Sequence, residues 1–263
     1  MFTTVTKTLT RSAMAIAIAA GAWSVVATPA NAAGPAIAYP QHEWSFSGPF
    51  GTFDRGALQR GFQVYKNVCA GCHALSYVAY RNLEALGYSE DEIKAIASEA
   101  LITDGPNDEG EMFERPGIPA DRFASPFPNE NAARAANNGA YPVDLSLIVK
   151  ARPDGANYLR ALMIGYVEPP ADFTLMEGMN YNAYFSGHQI AMAQPLWGDD
   201  VEYADGTPAT IEQLAEDVTT FLAWAAEPEM EERKQAGVMT ILFLLVFTGL
   251  LYATKRKIWK DVH

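Results

Sequence analysis

Cysteine is almost absent from this chain: Cys69 and Cys72 are the only two among 263 residues. A loop closed between thiols with two residues between them is too short to staple a domain, so a disulfide framework is excluded. Histidine is nearly as scarce. His42, His73, His188 and His263 are widely scattered, so a zinc site built on the two thiols lacks an evident second pair of ligands. Basic residues are outnumbered by acidic ones, 19 to 31. Phosphate repels such a surface, and nucleic acid is not an expected partner. Alternation of apolar and polar residues is weak throughout, which argues against a β-sandwich or barrel. Charge is also missing locally: no acid precedes Glu43, and no charge of either sign lies between Gln235 and Thr254.

These two local absences delimit the chain. Lys7 and Arg11, the small apolar stretch Ala13 to Ala27 and the triplet Ala30-Asn31-Ala32 form a secretory signal, with cleavage expected after residue 32. The competing reading, an uncut N-terminal anchor, is weakened by the well-formed cleavage triplet. Residues 235–254 form a stretch of 20 rich in Leu, Val, Phe and Ile. At about 1.5 Å per helical residue it crosses the ~30 Å hydrocarbon core of a bilayer. Arg233 and Lys234 precede it, whereas Lys255, Arg256, Lys257 and Lys260 follow it. The positive-inside rule therefore puts residues 255–263 in the cytoplasm, with Tyr252 and Trp259 in the aromatic belt. Residues 33–234 are expected to form one domain in a bacterial periplasm, anchored in the inner membrane by a single helix.

Positions 33 to 235 carry 13 basic and 30 acidic residues, a net charge of −17. The acids cluster at Glu90 to Glu92, Asp108 to Glu114, Asp199 to Glu202 and Glu227 to Glu232. Such asymmetry suits the steering of a basic soluble partner, although a merely solvated surface has the same composition. Apolar spacings of three and four predict a helix from Arg55 to Asn67 that delivers Cys69 at its end. Ser89 and Glu92 form a capping box that opens a helix through Leu101. A further helix opens at Pro153-Asp154 and runs to about Gly165. Thr210 and Gln213 form a second capping box, opening a helix through Ala226 that Pro228 stops. Five prolines and three glycines make Asp104 to Pro128 irregular, and Ala171 to Pro208 shows little periodicity. The fold class is all-α with long loops.

Cys69-Ala70-Gly71-Cys72-His73 is a C-x-x-C-H motif, the signature of covalent c-type haem attachment. Each thiol can bond a vinyl group, and the histidine is placed to ligate the iron. A thiol–disulfide oxidoreductase is the rival from another class; it would want a strand before the pair, where this chain is helical. Methionine opposite histidine raises the reduction potential and suits electron transfer. Met112, Met163, Met176, Met179, Met192 and Met230 are available, with His42 and His188. Met192 is favoured, because Ala191 and Ala193 let the backbone approach a haem face and Pro195 stiffens the loop. Met163 reads as core, and His188 stays open as the alternative.

Further stretches give the chain a likeness. They are Arg60 to Tyr65, Tyr77 to Arg81, Asp104 to Asn107, Gly110 to Phe113, Ala132 to Ala140, Asp205 to Thr210 and Trp224 to Pro228. Together with the haem motif and the C-terminal anchor they resemble the cytochrome c1 family, the haem subunit of ubiquinol–cytochrome c oxidoreductase. The resemblance covers nearly the whole chain beyond residue 32. It implies a c-type cytochrome haem domain with one transmembrane helix, and one haem c on Cys69 and Cys72 with His73 and Met192 as axial ligands. It implies that Ala135 to Tyr158 wraps the haem edge, that Arg152 pairs with a haem propionate beside Tyr158, and that Asn137 supports the same wall. It also implies a place beside cytochrome b in a dimeric complex, taking electrons from the Rieske iron–sulfur protein and passing them to a cytochrome c acceptor. A membrane-anchored monohaem cytochrome attached to a terminal oxidase is the nearest rival. Two features depart from the family. No cysteines remain for the extra disulfide some bacterial members carry, and Gln194 stands where a second proline is frequent.

Overall fold

Asp54 starts the first helix: its carboxylate accepts the Ala57 N–H at 3.1 Å, satisfying one donor of the open first turn. This helix, α1 (Arg55–Val64), passes directly into a π-helical turn, Tyr65–Cys69. The computed structural model that shows this describes residues 37–261. The expected signal segment, residues 1–32, lies outside the described residues. A 3-10 helix, Tyr80–Leu86, precedes α2 (Glu90–Ser98). Both halves of the α2 capping box form, with Ser89 accepting the Glu92 N–H and Glu92 accepting the Ser89 N–H. The helix stops short of Leu101, because that residue opens β1 (Leu101–Asp104), paired antiparallel with β2 (Phe113–Pro116). The Pro- and Gly-rich stretch is thus partly a hairpin rather than wholly irregular.

Helix α3 (Glu130–Ala136) is capped by Asn129, and α4 (Gly155–Ile164) follows Pro153. A second small ladder joins β3 (Asn180–Tyr181) to β4 (Gln189–Ile190). Helix α5 (Ile211–Ala226) starts where Thr210 accepts the Gln213 N–H. Its capping box is only half made, since the Gln213 amide reaches Asp217 at 3.1 Å instead. Helix α6 (Met230–Ile258) begins inside the acidic run rather than at Gln235. Among the described residues it is the one helix long and apolar enough to cross a membrane. The architecture is mostly helical, with two short ladders.

The core forms where α5 packs between α1 and α4. Gly61 makes the α1–α5 approach possible: a Cβ there would lie 2.0 Å from the Asp217 carbonyl oxygen. Leu58, Phe62, Phe221 and Trp224 fill the seam. Asp217, 1% exposed, accepts both Arg60 Nε and Nη2 at 2.9 and 3.0 Å, so the buried carboxylate is paired bidentately. Polar networks hold the long loops. Arg115 bonds Asp104 and Asp121, each at 2.6 Å, across the hairpin. Asn182, fully buried, donates to the Leu162 carbonyl and accepts from the Tyr184 and Phe185 N–H groups.

Candidate functional site

The π-helical turn sets Cys69 at its last position, and the next residues curl back on it. The N–H groups of Cys72 and His73 both donate to the Cys69 carbonyl, at 3.1 and 2.9 Å. This local turn brings the two thiols and the imidazole onto one short stretch. Both thiols are free; Cys72 is exposed and Cys69 half-buried. Burial, with Cys72 adding a smaller effect, pushes the Cys69 thiol up to about 12, so it stays protonated as a free group.

His73 is oriented by a backbone carbonyl far away in the sequence. Its Nδ1 lies 2.7 Å from the Val143 carbonyl oxygen. A carbonyl only accepts, so Nδ1 carries the proton and Nε2 keeps its lone pair. Burial lowers the His73 pKa, partly opposed by the Val143 bond and Asp144, and this favours the neutral ring. Such an arrangement is what an iron- or zinc-ligating histidine needs: one nitrogen tied to a carbonyl and the other free. The segment that carries Val143 is pinned to the motif. Asp144 accepts the Ser76 and Ser146 N–H groups at 3.1 and 2.8 Å. The Leu145 N–H donates to the Ala74 carbonyl. Along this wall Tyr141, Val143 and Leu147 remain 40–46% exposed, apolar area that a flat macrocycle would cover. The residues therefore fit a covalently attached haem.

Met192 sits half-buried on the same core cluster that Cys69 packs against. Its carbonyl oxygen accepts from Tyr166 Oη at 3.1 Å and from Asn180 Nδ2 at 3.3 Å. Sequence reasoning missed both donors, because nothing in the spacing of Tyr166, Asn180 and Met192 signals a shared contact. Gln194 caps the same loop by donating to the Leu196 carbonyl. His188, the alternative ligand, lies in a left-handed turn with Nδ1 buried and without a hydrogen-bond partner among the described residues, its ring stacked 5.7 Å from Tyr181. Met163 packs against the core, as its helix position suggests.

Arg152 and Tyr158 are brought together. Burial raises the Tyr158 phenol, and the adjacent Arg152 guanidinium opposes part of that rise. Among the described residues Arg152 is otherwise exposed and bonded only to its neighbour's carbonyl, Ala151 O. Asn137 closes α3, where its Nδ2 donates to the Ala133 carbonyl at 2.7 Å.

Comparison with known proteins accords with this geometry. Residues 44–262 match the Cytochrome C1 family. The chain is similar to cytochrome c1 of Rhodospirillum rubrum, 46% identical over 100% of this chain and 99% of that one. It is also similar to the mitochondrial cytochrome c1 1 heme protein of Arabidopsis thaliana, 52% identical over 83% of this chain and 71% of that one. A third relative, cytochrome b/c1 of Bradyrhizobium diazoefficiens, is 54% identical over 85% of this chain, which spans only 36% of that longer protein. On the family match, these identities and the geometry at Cys69, Cys72 and His73, the chain belongs to the cytochrome c1 family.

Proposed function

We propose that the chain is the haem-bearing electron carrier of a bc1-type complex. It would receive one electron at a time from a Rieske iron–sulfur protein and pass it to a cytochrome c. The observation that supports this best is the bond from His73 Nδ1 to the Val143 carbonyl beside two free thiols. Cys69 and Cys72 would hold a single haem c through thioether bonds, and His73 and Met192 would be its axial ligands. When bound, the haem supplies a one-electron iron couple, whose potential methionine ligation raises.

The chain's own residues do the positioning. Val143 fixes the imidazole tautomer, and Tyr166 with Asn180 fixes the Met192 backbone. Arg152, next to Tyr158, offers a two-pronged donor for a propionate that would otherwise be a partly buried charge. Asn137 would support this wall indirectly, by fastening the end of α3. The domain would lie in the periplasm beside cytochrome b, in a dimeric complex, with α6 crossing the inner membrane and residues 255–263 in the cytoplasm.

The test is haem staining of the full chain on a denaturing gel, expressed with its N-terminal segment in a host that matures c-type cytochromes. Covalent haem in the membrane fraction is the expected result. Absence of haem, where a control cytochrome is loaded, would return Cys69 and Cys72 to thiol chemistry. Copurification with cytochrome b and a Rieske protein, rather than with a terminal oxidase, separates this reading from its nearest rival.

A further inference from the structure

Phe50 is 79% exposed, while the aromatics around it are not. Trp44 stacks on Phe46 and Phe46 packs tilted against Phe53, with centroids 5.4 and 5.2 Å apart, and Phe53 belongs to the core. The loop bearing Phe50 is tied down on both sides. The Ser47 N–H donates to the Trp44 carbonyl at 2.9 Å and the Thr52 N–H to the Ser45 carbonyl at 3.1 Å. Gly51 is packed so closely that a Cβ would lie 2.0 Å from the Ser47 carbonyl oxygen. A fixed turn therefore presents a large apolar ring to its surroundings.

The position of this turn is set by the anchor helix. Lys234 Nζ donates to the Phe46 carbonyl at 2.6 Å and to the Gly51 carbonyl at 3.0 Å, gripping the loop at both ends. Lys234 is the last charged residue before the uncharged stretch of α6. The loop thus stands within one side chain's reach of the point where α6 would enter the hydrocarbon. The interfacial layer is about 5–7 Å thick on each side of a bilayer, so a loop held at this point of α6 is within reach of it.

We propose that the loop Ser47 to Gly51 contacts the membrane, with Phe50 inserted at the boundary between lipid headgroups and acyl chains. The proposal rests on reading α6 as a membrane span. The contact is apolar in origin. The nearby cations are already engaged, Arg55 by Glu231 and both Lys150 and Arg233 by Glu227, and Lys234 by the two carbonyls. Contact driven by buried aromatic area is insensitive to anionic lipid, unlike attraction of a polybasic patch.

The test uses the full haem-loaded chain in phosphatidylcholine vesicles, with and without phosphatidylglycerol. A nitroxide is attached in Phe50→Cys, in Asp108→Cys as an aqueous control, and in Leu244→Cys as a reference within the span. Collisions with oxygen, which concentrates in lipid, are compared with collisions with a water-soluble nickel chelate. At position 50 nickel access should be several-fold below that at position 108, and oxygen access should fall between positions 108 and 244, equally in both vesicles. Nickel access equal to that at position 108 would overturn the proposal. So would a label shielded from both reagents, which would place protein rather than lipid over Phe50. A water-like reading at position 244 would reject the span and the proposal with it, whereas a lipid reading at 244 with a water-like one at 50 rejects the proposal alone. If Phe50→Cys fails to load haem, Pro49→Cys, also exposed, carries the same comparison.

Discussion

Tyr166→Phe should loosen the proposed ligand Met192 by an amount that the structure allows one to work out. The Met192 carbonyl oxygen accepts two hydrogen bonds, from Tyr166 at 3.1 Å and from Asn180 at 3.3 Å. The second is longer than the usual range of about 2.7–3.2 Å for an N–H donor, so Tyr166 carries the larger share. A neutral hydrogen bond contributes about 0.5–1.5 kcal/mol net. We assign about 1 kcal/mol to Tyr166 and about 0.5 kcal/mol to Asn180 within that range. Burial pushes the Tyr166 phenol well above its ordinary value, so the hydroxyl remains a donor throughout the physiological range. Exogenous imidazole competes with a methionine ligand, and its apparent affinity measures how firmly the loop holds that ligand in place. With about 1.4 kcal/mol per factor of ten, Tyr166→Phe should tighten imidazole binding by about 5-fold and Asn180→Ala by about 2-fold. The double variant should reach about 10-fold if the effects add, and more if the carbonyl, once stripped of both donors, is left unsatisfied in a half-buried site. The assay is an optical titration of the oxidised protein with imidazole. Equal affinities in Tyr166→Phe and the parent chain would refute the argument that this carbonyl clamp restrains the ligand.

Asp217→Asn breaks a buried pair with Arg60. Because Asp205 still accepts from Arg60 at 2.8 Å, the loss should fall at the low end of the range for such pairs, about 3 kcal/mol. Urea denaturation showing a loss below about 1 kcal/mol would mean that the pair behaves like a surface bridge. The Arg115 guanidinium holds Asp104 below the usual carboxylate range and Asp121 at about 2. Carboxylates depressed in this way stabilise the fold above their ordinary pKa and lose that effect as pH falls towards 2. Arg115→Gln should therefore flatten the acid limb of a circular dichroism titration, and an unchanged limb counts against the network. If acidic residues steer a basic acceptor, its reduction rate should fall steeply with salt, since screening acts over about 10 Å at 0.1 M; a flat profile removes steering from the account.

Much of the fold was legible because its signals are local. The Ser89 capping box, the Thr210 cap, the stop before Pro228 and the helix ending at Cys69 all depend on neighbours within one turn. The short strands were not legible. Leu101 and Pro116 pair across a Pro- and Gly-rich loop, and a four-residue strand in such a setting has no usable period. The same contrast divides the candidate site. The C-x-x-C-H run announces itself, but the Val143 carbonyl that orients His73 is a backbone group seventy positions away, and any residue could supply it. Tyr166 and Asn180 were invisible for a similar reason, since they recognise a carbonyl rather than the methionine side chain. The missing disulfide left open how the loops are held, and the structure answers with Arg115 and buried Asn182.

Cys69 and the start of α6 are joined by packed helix and hydrogen bonds rather than by a loose linker. Glu231, in the first turn of α6, accepts the Phe53 N–H at 2.7 Å and the Arg55 guanidinium at 2.8 Å. Arg55 is the first residue of α1, and Asp54 caps it. From there 10 α-helical and 5 π-helical residues lead to Cys69. At no more than about 1.5 Å per residue this path is about 20 Å long. The thiols are thus tied to the start of α6 through one continuous helical rod and a pair of charge-assisted bonds. Packing of α1 along α5, with Gly61 against the Asp217 backbone, braces that rod. A haem carried on the proposed site would be mounted close to the start of α6. Under the proposed function, a donor and an acceptor would have to approach the exposed apolar residues Val143 and Leu147 themselves.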